Sequence, residues 1–174
     1  VLLPFGEFAP LHAHYPAWLL ELAPCAGFVP GEHEPLLEAA GAPLGILNCY
    51  EDLLPVRSRA LARAGAALLV NLTNDAWFGD TAEPHLHHMV SRLRAIEARR
   101  DLLRAVNTGV SAHVSSTGRD LVRTETFVEA SFVAEARLAD ELTVYARLGD
   151  LLTPMLLAWL FSALLRGARS LRSR

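Results

Sequence analysis

Lysine is absent from this 174-residue chain, so all 16 basic residues are arginines. Any chemistry that requires a side-chain amine must therefore find it elsewhere. Cysteine is almost absent as well: Cys25 and Cys49 are the two in the chain, too few for a disulfide framework. A Cys25–Cys49 bridge would consume the candidate nucleophile, Cys49. An excess of one charge is also missing. The formal net charge is −3, and the arginines are dispersed until the last residues, which excludes a nucleic-acid-binding reading. No initiator Met stands at Val1, and no signal-peptide pattern follows it. The opening reads like the middle of something, and the expectation is a C-terminal piece of a longer protein. Apolar residues are abundant, at 52% with a mean hydropathy of +0.25. The length suffices for one domain with a core.

Residues 2–8 read as a strand end entering a loop. Residues 10–30 set Tyr15, Trp18, Leu19, Leu20, Leu22 and Phe28 among Pro16, Pro24 and Pro30. Such an apolar loop, with a short helix near 17–22, either packs into the core or forms a lid or membrane-facing surface. Residues 44–48 predict a buried strand by length and apolar content. Asp52 is a candidate cap for a helix over 53–64, with Arg57, Arg59 and Arg63 toward solvent or an acidic partner. Gly65 ends that helix, and 67–72 predict a second buried strand. After an Asn/Asp/Gly-rich loop, Pro84 opens a helix to about Arg104. Its stripe of Leu86, Met89, Val90, Leu93, Ile96 and Leu103 predicts a core-facing side. Strands are expected at 104–107, 110–115, 120–124 and near 131–136. This alternation predicts an α/β layered fold that antiparallel strands join later.

The last segment departs from the soluble pattern. Residues 151–165 are apolar except for Thr153, Pro154 and Ser162. Counted from Leu148, they make a helix of about 27 Å against a hydrocarbon core of roughly 30 Å. Trp159 and Tyr145 suit an interface, and Arg166, Arg169, Arg172 and Arg174 follow. A membrane span with a cytoplasmic C-terminus is favoured over a buried terminal helix.

Cys49 stands where an apolar strand exits into Tyr50-Glu51-Asp52. The thiolate is the reactive form of cysteine, so Cys49 needs a base or a cation beside it. It also needs donors for a developing oxyanion, which the backbone N–H groups of Tyr50 or Glu51 would supply. Glu7 and Glu51 are the candidate carboxylates.

Asn48-Cys49-Tyr50-Glu51 resembles the nucleophile turn of the nitrilase (carbon–nitrogen hydrolase) superfamily. Ala64-Gly65-Ala66 with Leu68-Leu69-Val70-Asn71 resembles its next strand, and Arg94-Ala95-Ile96-Glu97 its following helix. Within the superfamily, Pro4-Phe5-Gly6-Glu7-Phe8, Asn74-Asp75-Ala76-Trp77-Phe78-Gly79, Asn107-Thr108-Gly109-Val110-Ser111 and Tyr145-Ala146-Arg147-Leu148-Gly149-Asp150 resemble the apolipoprotein N-acyltransferases, almost end to end. The resemblance implies part of a nitrilase-like α-β-β-α sandwich over 1–146, a transmembrane helix over 147–166 and a basic cytoplasmic tail over 167–174.

It further implies an enzyme of the bacterial inner membrane with a periplasmic catalytic domain. An acyl chain passes from a phospholipid through a cysteine thioester to the N-terminal amine of an apolipoprotein. No cofactor, metal or nucleic acid takes part. Cys49 then matches the nucleophile, and Glu7 and Glu51 match acidic residues of the site. Tyr50, Asn74 and Trp77 border the substrate. The family's glutamate base and lysine both precede the Phe-Gly-Glu motif. This chain begins at Val1 and has no Lys, so the expectation is a piece that cannot turn over alone.

Two other readings stay open on the residues: a soluble amidase of the same superfamily, and a non-catalytic membrane-associated binding module with Cys49 in its core. His85, His87 and His88 offer no convincing metal-ligand spacing. His87 reads as a packing or hydrogen-bonding residue, and Glu97 becomes interesting if buried.

Overall fold

A computed structural model of the chain describes residues 36–172, preceded by three single residues, His14, Pro16 and Trp18. Glu7, Cys25, the expected strand end at 2–8 and the rest of the apolar loop at 10–30 lie outside the described residues. The chain divides into two units, residues 1–35 and 36–174. The second unit holds the sheet and the helices packed on it.

This sheet has six strands in sequence order: β1 (Leu37–Ala39), β2 (Ala42–Asn48), β3 (Leu68–Asn74), β4 (Leu102–Asn107), β5 (Ala112–Val114) and β6 (Asp120–Arg123). β2, β3 and β4 run parallel; β1, β5 and β6 join antiparallel. Parallel neighbours need crossovers, and α1 (Pro55–Arg63) and α2 (Glu83–Ala98) supply them. Pro55 at the first helical position loses no hydrogen bond there. α1 settles closely on β2 because Gly45 lacks a side chain. A Cβ there would stand 2.9 Å from Ala66 Cβ and 3.0 Å from Leu61 Cβ.

The core lies between the sheet and these helices, built of Leu47, Leu61, Leu69, Ala95, Ala98, Leu102, Val110, Ala112 and Val114. Strand alternation sends Leu47, Leu69 and Leu102 to this side, while Val70, Leu72, Leu103 and Ala105 stay partly or fully exposed on the other. The described residues thus comprise one sheet with helices on one face, half of the sandwich expected.

Three expectations are corrected. α2 ends at Ala98, where Arg99 takes a left-handed φ of 53° and ends the helix well before Arg104, which lies in the strand expected at 104–107. Residues 131–136 form no strand, and 120–123 close the sheet instead. The α2 stripe faces outward: Leu86, Met89, Leu93 and Ile96 are exposed, while Pro84, His87, His88, Ser91, Arg94, Ala95 and Ala98 are buried.

The C-terminal segment also differs from expectation. After α3 (Val144–Leu148), Gly149 adopts φ 65° and breaks the helix, and α4 runs Leu152–Arg172. No helix among the described residues is long and apolar enough to cross a membrane. The reason is geometric. The break at Gly149 removes the residues counted from Leu148, and Arg166 interrupts the apolar stretch after Leu165. That leaves about 21 Å of apolar helix.

Candidate active site

The carboxyl ends of β2, β3 and β4 form one edge, where ligands of open α/β sheets bind. β2 ends at Asn48 and passes directly into the 3₁₀ turn Cys49–Leu53. β3 ends at Asn74 and passes into the 3₁₀ turn Asp75–Phe78. Asn107 ends β4, paired with Asn74 in the ladder, and its side-chain amide donates to Asn74 Oδ1 at 3.2 Å. Asn74 Oδ1 also accepts from Ala76 N at 3.1 Å, which caps the second turn. Trp77, in that turn, is 85% exposed, and Tyr50 is also exposed.

Cys49 is a free thiol, partly buried, with φ 49°. A left-handed conformation outside glycine costs about 1–2 kcal/mol and persists only where surroundings impose it. The surroundings are identifiable. The Asn71 side-chain amide donates to the Cys49 carbonyl at 3.0 Å and to the Leu47 carbonyl at 3.2 Å. Glu51 accepts from the Asn48 backbone N–H at 3.0 Å and pairs with Arg57 Nε at 3.1 Å. Arg94 donates to the Leu53 carbonyl at 3.3 Å. Asn48, Cys49 and Leu53 are each held by a side chain reaching across the turn or from elsewhere in the fold.

Beneath the turn lies a buried polar cluster that residue order did not reveal as a unit. Asp52, expected as a helix cap, is fully buried and directs Oδ1 at His87 Nε2, 2.7 Å away. His87 Nδ1 lies 2.9 Å from Asp75 Oδ1. Arg104, from the centre of β4, places Nε 3.4 Å from Asp52 Oδ2 and donates to Asn71 Oδ1 at 3.3 Å. Arg104 Nη1 also faces His88 Nδ1 at 3.2 Å, and His88 Nε2 meets both oxygens of Asp120 at 3.1 Å.

The electrostatics follow from these contacts. Burial alone would discharge His87, but the hydrogen bonds to Asp52 and Asp75 reverse that and carry its pKa up to about 9. It is an imidazolium at neutral pH. Burial lowers the pKa of His88, with Arg104 adding to the effect against Asp120. A neutral ring accepting from Arg104 and donating to Asp120 satisfies both of its neighbours. Burial raises Glu83, four residues before His87, and raises Glu97, which is half-buried beside Arg94.

Asp75, Glu83 and His87 bring ligand-type atoms within 4.8 Å of one another. Both His87 nitrogens already face carboxylates, so the trio offers no free imidazole lone pair to a cation. Gly109 is required by this packing, since a Cβ there would collide with Asp75 Oδ2 and with Val106 Cγ1, the latter 2.6 Å away.

Of the residues expected at the site, Cys49, Tyr50 and Glu51 share the first turn, and Asn74 and Trp77 belong to the second, with Glu7 outside the described residues. Asn71 and Arg104 were missed. The signal was a polar residue in mid-strand, within Leu-Val-Asn-Leu and Leu-Leu-Arg-Ala.

Residues 14–143 match the carbon–nitrogen hydrolase family, and the chain belongs to it. A solved carbon–nitrogen hydrolase from Helicobacter pylori G27 is 18% identical with a TM-score of 0.52, over 59% of this chain and 43% of that one, a likeness that shows the fold. Among curated proteins, an apolipoprotein N-acyltransferase from Geobacter metallireducens is 40% identical over 86% of this chain and 29% of its own length. Another, from Bdellovibrio bacteriovorus, is 39% identical over 99% of this chain and 33% of its own length. The chain thus spans about a third of the curated relatives it matches.

Proposed function

We propose that this chain is part of an apolipoprotein N-acyltransferase of the bacterial inner membrane, its site facing the periplasm, with Cys49 as the nucleophile. The observation that carries the reading is a free thiol in a left-handed turn at the carboxyl end of a parallel strand, within a chain 40% identical to a relative of that name. In the first half-reaction the Cys49 thiolate attacks an ester carbonyl of a phospholipid. The S–C bond forms, the C–O bond breaks, and the lysophospholipid alcohol leaves with a proton. In the second, the amine of an apolipoprotein's lipid-modified N-terminal Cys attacks the thioester. The C–N bond forms, the C–S bond breaks, and the amine's proton passes to a base.

Glu7 is assigned to the acidic machinery of the site. Glu51 is assigned to the same machinery, its carboxylate oriented by the Asn48 backbone N–H and by Arg57. Tyr50, Asn74 and Trp77 border the acyl donor, the exposed Trp77 offering apolar surface. A dry site favours transfer to the amine over hydrolysis. The base and the lysine are assigned to other parts of the polypeptide.

The test is Cys49→Ser in the full-length polypeptide, which is expected to abolish acyl transfer from phospholipid to a lipopeptide amine. Mass spectrometry of the unsubstituted protein with phospholipid should find the acyl group on Cys49. Undiminished transfer by the serine variant would refute the assignment. Retained hydrolysis of small amides without acyl transfer would favour an amidase.

A further inference from the structure

We propose that His87 is a positioning residue that ties the Cys49 turn to the Trp77 turn, so that nucleophile geometry and substrate-loop geometry are set by one side chain. The two turns come from different strand ends, and their backbones run separately. Each sends one buried aspartate inward: Asp52 from Cys49–Leu53, Asp75 from Asp75–Phe78. Both aspartates are fully buried, and both end on the same ring, at 2.7 Å and 2.9 Å. Two ionised carboxylates on opposite nitrogens require two N–H donors, which only the imidazolium provides.

The surroundings hold the ring in place. It projects from the first turns of α2, with Arg104 of β4 beside Asp52 and Glu83 four residues earlier. Charge-assisted bonds of this length in a dry interior are strong and directional. Displacement of either turn therefore passes to the other through a rigid five-membered ring. Both ring nitrogens of His87 are taken by the aspartates, so its influence on the thiol runs through Asp52, three residues beyond Cys49 in the same short turn.

Asparagine and glutamine separate the two links. An Asn amide sits near the Nδ1 position and donates toward Asp75; a Gln amide reaches toward the Nε2 position and donates toward Asp52. The experiment uses the full-length polypeptide carrying His87→Asn, His87→Gln or His87→Ala, with two readouts: the rate of Cys49 alkylation by iodoacetamide, and KM and kcat with phosphatidylethanolamine as acyl donor. His87→Gln is expected to alkylate within about twofold of the unsubstituted protein while KM rises about tenfold. His87→Asn is expected to lose about tenfold in alkylation rate with KM nearly unchanged, and His87→Ala to show both defects.

Equal effects of Asn and Gln on both readouts, or none, would overturn the proposal. Should the His87 variants fail to fold, Asp75→Asn decides instead. A raised KM with unchanged alkylation supports the tie, and any other pattern refutes it. The KM arm rests on the acyl-transfer reading, whereas the alkylation arm does not. If the unsubstituted protein turns over no phospholipid, that reading fails alone, and the Gln-against-Asn difference in alkylation still decides the tie.

Discussion

At the scale of single residues, the site depends on a few charges removed from water. Asp52, Asp75 and Arg104 are almost wholly inaccessible, an arrangement that survives only when each charge meets its opposite. His87 supplies the second cation, facing Asp52 and Asp75 directly, with Arg104 and Glu83 close by. Its folded pKa of about 9 lies above its ordinary value of 6.5, so folding takes up a proton as the ring is buried. The sign follows: this stabilisation is fully present below pH 6.5 and is lost as pH rises toward 9. Its size is on the order of 3 kcal/mol. Urea midpoints should therefore fall between pH 6 and pH 9.5 in the unsubstituted protein and differ much less in His87→Asn. His88, with its pKa lowered by burial, acts in the opposite sense, and its contribution weakens as pH falls below 6.5.

At the scale of elements, α2 is the informative case. Its apolar stripe is real, yet Leu86, Met89, Leu93 and Ile96 face out and the His87, His88, Ser91, Arg94 side faces in. Helical periodicity identifies two faces without saying which is buried. Here the buried cluster decides, because Asp52, Asp75 and Asp120 demand histidine and arginine from the helix and strand above them. The loop after β4 has a comparable constraint. Gly109→Ala would drive a methyl into Asp75 Oδ2 and Val106, and neither can move without disturbing His87 or the sheet edge. Gly109→Ala is expected to cost about 1–3 kcal/mol in urea unfolding. A change under half that size would show that the loop yields.

At the scale of the whole molecule, α4 is the conspicuous surface. Met155, Leu156, Leu157, Trp159, Phe161 and Leu164 are all exposed, and Arg166 follows within two residues. Contiguous apolar surface of this extent marks an interaction site. A helix too short to span can still bury its apolar side at a bilayer boundary beside anionic headgroups. The 174-residue chain is expected to co-sediment with vesicles containing phosphatidylglycerol, and Trp159→Glu with Phe161→Glu should reduce the bound fraction several-fold. Undiminished binding by the double variant would move the attachment elsewhere.

Much of this protein was legible in residue order. The short apolar runs became β2 and β3, because a run of that length between turn residues has few other ways to bury itself. Asn48-Cys49-Tyr50-Glu51 and Asn74 to Gly79 marked the two turns of the site, as local motifs do when backbone and side chain act within a few positions. The family was legible for the same reason, and residues 14–143 match it. Tertiary structure decided what depends on long sequence separations. Asp52 and His87 are 35 residues apart, and Asn71 and Arg104 are 33 apart. Only the parallel pairing of β2, β3 and β4 brings them under one thiol. The inward side of α2 was likewise settled by its partners, Asp52, Asp75 and Asp120.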